Sequence, residues 1–221
     1  MNFQTKLKLF KFIQRCFAKL NLKIFYTKDK DFSKNLKVKN IIDVGVEKGT
    51  DFLIKKFPKA NFFLVEANPL FYDYLENEFL RKYKGKLFKI AAGSKYESKF
   101  FYQSGPISSF FKRDNFTFNK RSKVQIKPLD KILIREKFSK NTLLKIDCEG
   151  GELDVLKGAI KILRKVNYVI IELRLQKIKT YNPSDIISFL YKNNFKWQQI
   201  LKVYYAKEGI DYIDILFTKI K

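Results

Sequence analysis

Asn40-Ile41-Ile42-Asp43-Val44-Gly45-Val46-Glu47-Lys48-Gly49-Thr50-Asp51 is the stretch that decides the fold. Its first half is a short apolar run ending in a carboxylate. Its second half is a glycine turn leading into Thr50 and Asp51, residues suited to opening a helix. Glycines in such a turn let the backbone approach a ligand closely, and the helix behind them offers free N–H groups at its positive end. A second apolar run, Phe62 to Val65, ends at Glu66 and is followed by Asn68-Pro69, an N-cap and first-turn pair. A carboxylate at that strand end is placed to accept two hydrogen bonds from ribose hydroxyls, by the geometry of the dinucleotide-binding folds. NAD competes for this pattern, but its G-x-G-x-x-G fingerprint is not supplied by Gly45 and Gly49. Asp43 at the end of the first strand suits instead a cofactor with a cationic amino-acid end. The plainer alternative makes Asp43 and Glu66 ordinary strand-end charges.

Outward from this unit the pattern repeats. Apolar runs at Leu87 to Ala92, Leu143 to Ile146 and Tyr168 to Ile171 alternate with helical stretches, which predicts an α/β domain with a mostly parallel sheet. An insertion with its own β character covers 99–102 and 123–126. Asn182-Pro183-Ser184 opens a helix to about Lys192, and the runs 197–205 and 212–218 form an antiparallel pair turning near Gly209. The domain is expected over 40–221. Before it, Phe3, Leu7, Phe10, Ile13, Phe17, Leu20 and Ile24 recur at steps of three and four, an amphipathic helix within a 1–39 segment that ends in a Lys-rich connector. The opposite face of that helix carries only Lys and Arg, so residues 1–26 either cap the domain or lie on an anionic membrane surface.

With 221 residues, 46% of them apolar or aromatic, the chain can bury a sizeable core and is not a solvating, disordered polymer. Cys16 and Cys148 lie too far apart in sequence for a disulfide framework, which fits a cytoplasmic setting, peripheral to the inner membrane face if the first helix binds lipid. The sequence contains no His, so proton transfer must rest on carboxylates, Lys, Tyr or a cofactor. A formal charge of +24 invites a polyanionic partner, yet it is mostly Lys and dispersed along the chain, whereas base readout and bidentate phosphate clamping favour Arg. Nucleic acid is therefore the lesser reading.

The runs I-I-D-V-G-V-E-K-G, F-F-L-V-E-A-N-P, L-F-K-I-A-A-G-S, the Ser108-Ser109 pair, P-L-D-K-I-L and above all L-L-K-I-D-C-E-G-G-E-L-D-V-L-K-G-A resemble the FkbM methyltransferases over about residues 40 to 172. The resemblance implies a Rossmann-like class I methyltransferase with a seven-stranded sheet. It also implies S-adenosyl-L-methionine as cofactor and transfer to a hydroxyl of a saccharide, a glycolipid precursor or a similar small acceptor. Asp43, Gly45, Gly49 and Glu66 are then cofactor residues together with the adjoining Glu47 and Ala67, and Ala91, Ala92 and Gly93 lie near the adenine. Glu47, Ala67 and Pro128 depart from the family's usual residues. The alternatives are an RNA or DNA methyltransferase and a non-catalytic scaffold of the same fold.

Period-two alternation after the fourth parallel strand sends Lys145, Asp147 and Glu149 to one side. A carboxylate there can take the proton of an acceptor hydroxyl, with Asp147 the first candidate base and Glu149 the second. Asp147 can equally contact the methionine end of the cofactor, and the two roles stand open. Glu149, Glu152 and Asp154 also suit the first turn of a helix running to Leu163. No metal site is assigned; Mg²⁺ on Asp147 and Glu149 is the form one would take. Glu172 and Arg174 end the fifth parallel strand as shapers of the acceptor site or, more plainly, a surface ion pair. Phe100, Phe101, Phe110 and Phe111 in the insertion are candidates for stacking on a sugar face.

Overall fold

Ile41, Ile42 and Val44 are branched apolar residues that suit a strand covered on both faces, and with Asp43 between them they are buried along β1 (Asn40–Val44). The computed structural model describes residues 36–103, 120–175, 180–206 and 209–220, and those from Leu36 onward form one unit. The N-terminal helix, Ser108-Ser109, Phe110 and Phe111 lie outside the described residues. β1 is flanked by β2 (Asn61–Glu66) and β7 (Thr142–Ile146), both parallel to it. With β3 (Gly85–Lys89), β8 (Tyr168–Arg174), β9 (Phe195–Ala206) and β10 (Gly209–Lys219) they make a seven-stranded sheet of order β3-β2-β1-β7-β8-β10-β9. Only β10 breaks the parallel run, pairing antiparallel with both β8 and β9. The chain winds outward from β1 to β3 and then returns to the other side of β1. A crevice opens at such a reversal outside the carboxyl ends of the strands.

Helices cover the faces. α1 (Asp51–Lys56) follows the glycine turn, and the helical stretch 69–82 (α2) contains a π-type segment, Leu75–Phe79, whose end residues are buried. α3 (Leu129–Ile132), α4 (Glu152–Lys157), α5 (Ile160–Lys165) and α6 (Pro183–Lys192) follow. The central core joins Ile42, Val44, Leu144 and Ile146 of the sheet to Leu156, Leu163, Ile186 and Leu190 of the helices.

Two elements differ from the sequence expectation. The run from Leu87 to Ala92 is divided between β3 and β4 (Ala91–Gly93), with a tight bend in which the Ile90 N–H donates to the Phe88 carbonyl at 3.0 Å. β4 belongs to a separate three-stranded sheet, β4-β6-β5, built with β5 (Glu97–Gln103) and β6 (Lys120–Pro128), the expected insertion strands. Alanine and glycine suit β4 because it runs close to its neighbours: a Cβ on Gly93 would stand 2.5 Å from a methyl of Ile126. The helix expected to reach Leu163 is likewise broken, into α4 and α5. A Cβ on Gly158 would lie 1.8 Å from the Gly93 carbonyl oxygen, so the chain passes β4 there without a side chain. The Asp130 carboxylate then caps α5, accepting the N–H groups of Lys161 (2.8 Å) and Ile162 (2.9 Å).

Gly158→Ala is therefore expected to destabilise the domain by about 1–3 kcal/mol through overpacking. Urea denaturation checks this, with a lowered midpoint at unchanged slope.

Candidate functional site

The carboxyl ends of β1, β2, β7 and β8 border a cleft of about 560 Å³, a volume typical of small-molecule sites. Its floor is the loop after β1. Gly45 and Gly49 take φ values of +80° and +99°, and Glu47 between them adopts φ +52° without being a glycine. Both glycines are also demanded by neighbours, since a Cβ on Gly45 would stand 1.7 Å from the Asp147 carbonyl oxygen and one on Gly49 2.7 Å from the Phe79 ring.

Glu66, 4% exposed, fastens this loop. Its Oε2 accepts the N–H groups of Val46 (2.9 Å) and Glu47 (2.8 Å), and its Oε1 accepts that of Asn68 (2.6 Å). Burial pushes the Glu66 carboxyl up, while these N–H groups oppose the shift. The Ala67 N–H also bears on this carboxylate, so Glu66 is held by the backbone on both sides of the cleft floor. Glu66 thus supports the loop as well as facing the cleft. Asn68 caps the next helical turn through the Leu70 N–H at 3.1 Å, the helix start expected there.

Asp43 sits beneath the cleft at 1% exposure. Its Oδ2 accepts the Thr50 hydroxyl at 2.9 Å, and its Oδ1 accepts no hydrogen bond among the described residues. Its cross-strand partner is Lys145, whose Nζ lies 3.7 Å from Asp43 Oδ1 and donates to Asp147 Oδ2 at 3.0 Å. Burial pushes the Asp43 carboxyl up against the pull of Lys145. Burial opposes the Lys145 charge, but Asp147 and Asp43 outweigh it and raise its pKa, so Lys145 stays an ammonium and is no proton acceptor.

The strand ends at Ile146, and beyond it a loop, not strand alternation, gathers the acids. Glu152, 1% exposed, shapes that loop by accepting the N–H groups of Cys148 (2.9 Å) and Gly150 (3.0 Å). Glu149 takes φ +52° and pairs with Arg174. Carboxylate oxygens of Asp147, Glu149 and Glu172 come within 4.8 Å of one another. Burial, with Glu152 and Asp147 beside it, pushes the Cys148 thiol up, which removes it as a nucleophile.

Glu172 and Arg174 are not a surface ion pair. Glu172 is 7% exposed, and the Arg174 side chain, 13% exposed, also meets Glu149 and Asp211. Burial, then Asp147 and Glu149, push the Glu172 carboxyl to about 9. Directly opposite it on β10 stands Asp214, which burial and Asp147 push to about 6. Glu47 rises to about 7 through burial and the carboxylates of Asp147 and Glu66. The Glu172 and Asp214 carboxyl groups thus face one another on adjacent strands, where holding both as carboxylates would cost stability.

All the cofactor and catalytic candidates read from the sequence converge here. Gly45, Glu47, Gly49, Glu66, Ala67, Ala92, Asp147 and Glu149 line the cleft, with Asp43 beneath. Phe101 joins them, whereas Phe100 is half exposed and carries the Arg121 guanidinium over its ring. Sequence reasoning missed Lys202, Tyr204, Tyr212 and Asp214 on the opposite wall. The two tyrosine rings stack at 3.9 Å, with Lys202 over one and Arg174 over the other. Asp214 alone carried a signal, as a lone charge in the apolar run Ile213 to Phe217.

The sheet order, the single antiparallel strand between β8 and β9 and the acid-edged cleft at the winding reversal define a Rossmann-like class I methyltransferase fold. The model of the Methyltransferase FkbM domain matches residues 43–197, and the chain belongs to that family. It is 29% identical over 151 residues to the hexuronic acid methyltransferase AglP of Haloferax volcanii, a match spanning 67% of this chain and 59% of the relative. The crystal structure of methyltransferase FkbM from Methylobacillus flagellatus KT is similar at a TM-score of 0.51 and 15% identity, covering 86% of this chain and 46% of that one.

Lys145→Met would leave Asp43 buried beside no cation, and removal of one partner from such a pair costs about 3–5 kcal/mol. The Asp43 carboxyl is already raised above its ordinary value of 3.8, so the folded state holds its proton more tightly than the unfolded chain does, and stability is lost as pH rises past that value. The variant's loss in thermal unfolding is therefore expected to be larger at about pH 7 than at about pH 4.

Proposed function

We propose that this chain uses S-adenosyl-L-methionine to methylate a hydroxyl oxygen of a saccharide, glycolipid precursor or similar polyhydroxylated acceptor. The observation that carries the reading is the convergence of Asp43, Glu66 and Asp147 on one cleft of a methyltransferase-family domain. The buried Asp43 Oδ1 without a hydrogen-bond donor and the carboxylates around it suit a ligand with a cationic end. When bound, the cofactor supplies a methyl group on a sulfonium, an electrophile that an oxygen nucleophile can accept.

The protein's work is placement and proton transfer. The Glu66 carboxylate, which lines the cleft, meets a ribose hydroxyl, and Ala67, Ala91 and Ala92 leave a shallow apolar wall beside Phe71 for a flat base. Asp147, fixed by Lys145, stands where it can receive the acceptor's proton as the new O–C bond forms, an effect worth about 10²–10⁴ in rate. Two tyrosine hydroxyls, Lys202 and Asp214 on the opposite wall offer the mixed donors and acceptors that a sugar ring needs. Among the described residues the lining carries Lys145 and Lys202 as its only cations, too few to clamp the successive phosphates of a nucleic acid despite the overall charge of +24.

Calorimetric titration with S-adenosylmethionine tests the cofactor assignment. Glu66→Ala is expected to weaken binding by about 1.5–3 kcal/mol, and equal affinity would remove Glu66 from the ribose site. Glu47 is protonated below about 7, and a cationic ligand favours its ionised form, so affinity should rise as pH passes upward through that value and flatten in Glu47→Gln. With a hexuronic acid or related saccharide as acceptor, Asp147→Asn should lower turnover by about 10²–10⁴ at near-constant cofactor affinity. A variant that loses cofactor affinity but keeps turnover would make Asp147 a cofactor ligand instead of a base.

A further inference from the structure

Among the described residues, five carboxylates at the carboxyl edge, those of Asp43, Asp147, Glu149, Glu172 and Asp211, form ion pairs with Lys145 and Arg174. The arrangement is uneven. Lys145 lies between Asp43 and Asp147, and Arg174 pairs closely with Glu149 while standing 3.6 Å from Glu172 and 3.8 Å from Asp211. Of the two loosely held carboxylates, Glu172 is the buried one. It is 7% exposed, and its Oε1 accepts no hydrogen bond among the described residues. A buried carboxylate oxygen without a donor is costly to keep, and the cost is removed when a ligand bonds to it.

We propose that Asp147, Glu149 and Glu172 form a binding site for a hard divalent cation of the Mg²⁺ or Ca²⁺ class, on the acceptor side of the cleft. The donor set is all oxygen, which selects such ions over zinc or copper. One oxygen from each residue lies within 4.8 Å of the others. Three oxygens each 4.8 Å from the others would surround a common centre at about 2.8 Å, so the cluster closes slightly to reach the about 2.3–2.6 Å of calcium and further to reach the about 2.0–2.1 Å of magnesium. The three residues come from two adjacent elements, the loop after β7 and the interior of β8, and all line the cleft. A cation there would keep positions open toward the cleft, where neighbouring acceptor oxygens could complete its coordination and the reacting hydroxyl would be made more acidic. Glu149 would then exchange part of its bond to Arg174 for the ion, leaving that guanidinium to Asp211 and the Tyr212 ring.

The site is defined by protein groups alone, so it can be tested apart from the methyltransferase reading. The full chain is titrated with Mn²⁺ and free ion is followed by electron paramagnetic resonance, with Mg²⁺ and Ca²⁺ as competitors. The wild type should bind one Mn²⁺ per chain, displaced by either competitor, and Glu172→Gln and Glu149→Gln should each weaken that binding at least about tenfold. Glu149 lies in a loop, so its variant decides the matter if Glu172→Gln does not fold. Mn²⁺ binding that is undetectable, or unchanged in the folded variants, overturns the site. Titrating the same samples with S-adenosylmethionine separates the two ideas: cofactor binding without Mn²⁺ binding sinks only the cation site, and the reverse sinks only the methyltransferase reading.

Discussion

Lys145, buried between Asp43 and Asp147, is the interaction on which the carboxyl edge of the sheet depends. Its strand partner Asp43 is almost completely enclosed, and an isolated carboxylate at that depth would take up a proton or force the edge apart. Because the ammonium reaches across β1 and β7, it ties the glycine loop after one strand to the acidic loop after the other. The backbone repeats the link, for the Asp147 N–H donates to the Val44 carbonyl at 3.0 Å, extending the ladder one step beyond the strand. Gly45 has no room for a side chain for the same reason: the Asp147 carbonyl occupies that space. One ion-pair triad and one close backbone crossing thus fix the spacing of the two loops that any ligand in the cleft must touch.

In a protein with a charge of +24, the charged residues that line the cleft are nevertheless mostly carboxylates. The exterior and the site therefore serve different partners. Dispersed lysines set solubility and long-range attraction for anions, whereas at short range the cleft selects by desolvation and local charge. Inside it Glu47, Glu172 and Asp214 are all pushed upward, burial being the largest cause in each and neighbouring carboxylates the next. Such a cluster is held below its full charge until something positive arrives. The proposed sulfonium cofactor and the proposed divalent ion would be two ways of supplying that charge, Glu47 lying on the side of the glycine loop and Glu172 on β8.

What was legible in the sequence was local. Asp43, the glycine turn and Glu66 were readable because strand, turn and helix follow within a single stretch of chain, and the same holds for Asn68-Pro69 as a helix start. Positions settled by distant neighbours were not readable. Nothing near Gly158 announces that β4 will pass against it, so a continuous helix was expected where two short ones form. The run from Leu87 to Ala92 reads as one strand, and only its separate partners, β2 for the first part and β6 for the second, divide it. The far wall of the cleft failed for the same reason: Tyr204 and Tyr212 become a stacked pair only through the β9–β10 register. For Glu172 and Arg174 the choice between acceptor site and surface ion pair stayed open, because sequence alone does not show that β10 will pair along β8 and bury them.

The costs concentrate in one place. Among the described residues, the non-glycine positions with left-handed backbone are Glu47, Glu149 and Asn194, and the first two border the cleft. Each such residue costs about 1–3 kcal/mol and persists only where its surroundings overdetermine it. Here the surroundings can be named, since Glu66 accepts the Glu47 N–H and Arg174 holds the Glu149 carboxylate. Add the Glu172–Asp214 pair, and the cleft gathers strained backbone, opposed carboxylates and an orphaned Asp43 oxygen in a domain whose core is otherwise well-buried aliphatic and aromatic packing. Instability gathered at one cleft, on a sheet edge where this fold places its ligands, is what a binding site costs the fold that carries it. A non-catalytic scaffold would have no need to keep the buried carboxyl groups of Asp43 and Glu172, because apolar residues of similar size at both positions would remove their burial cost.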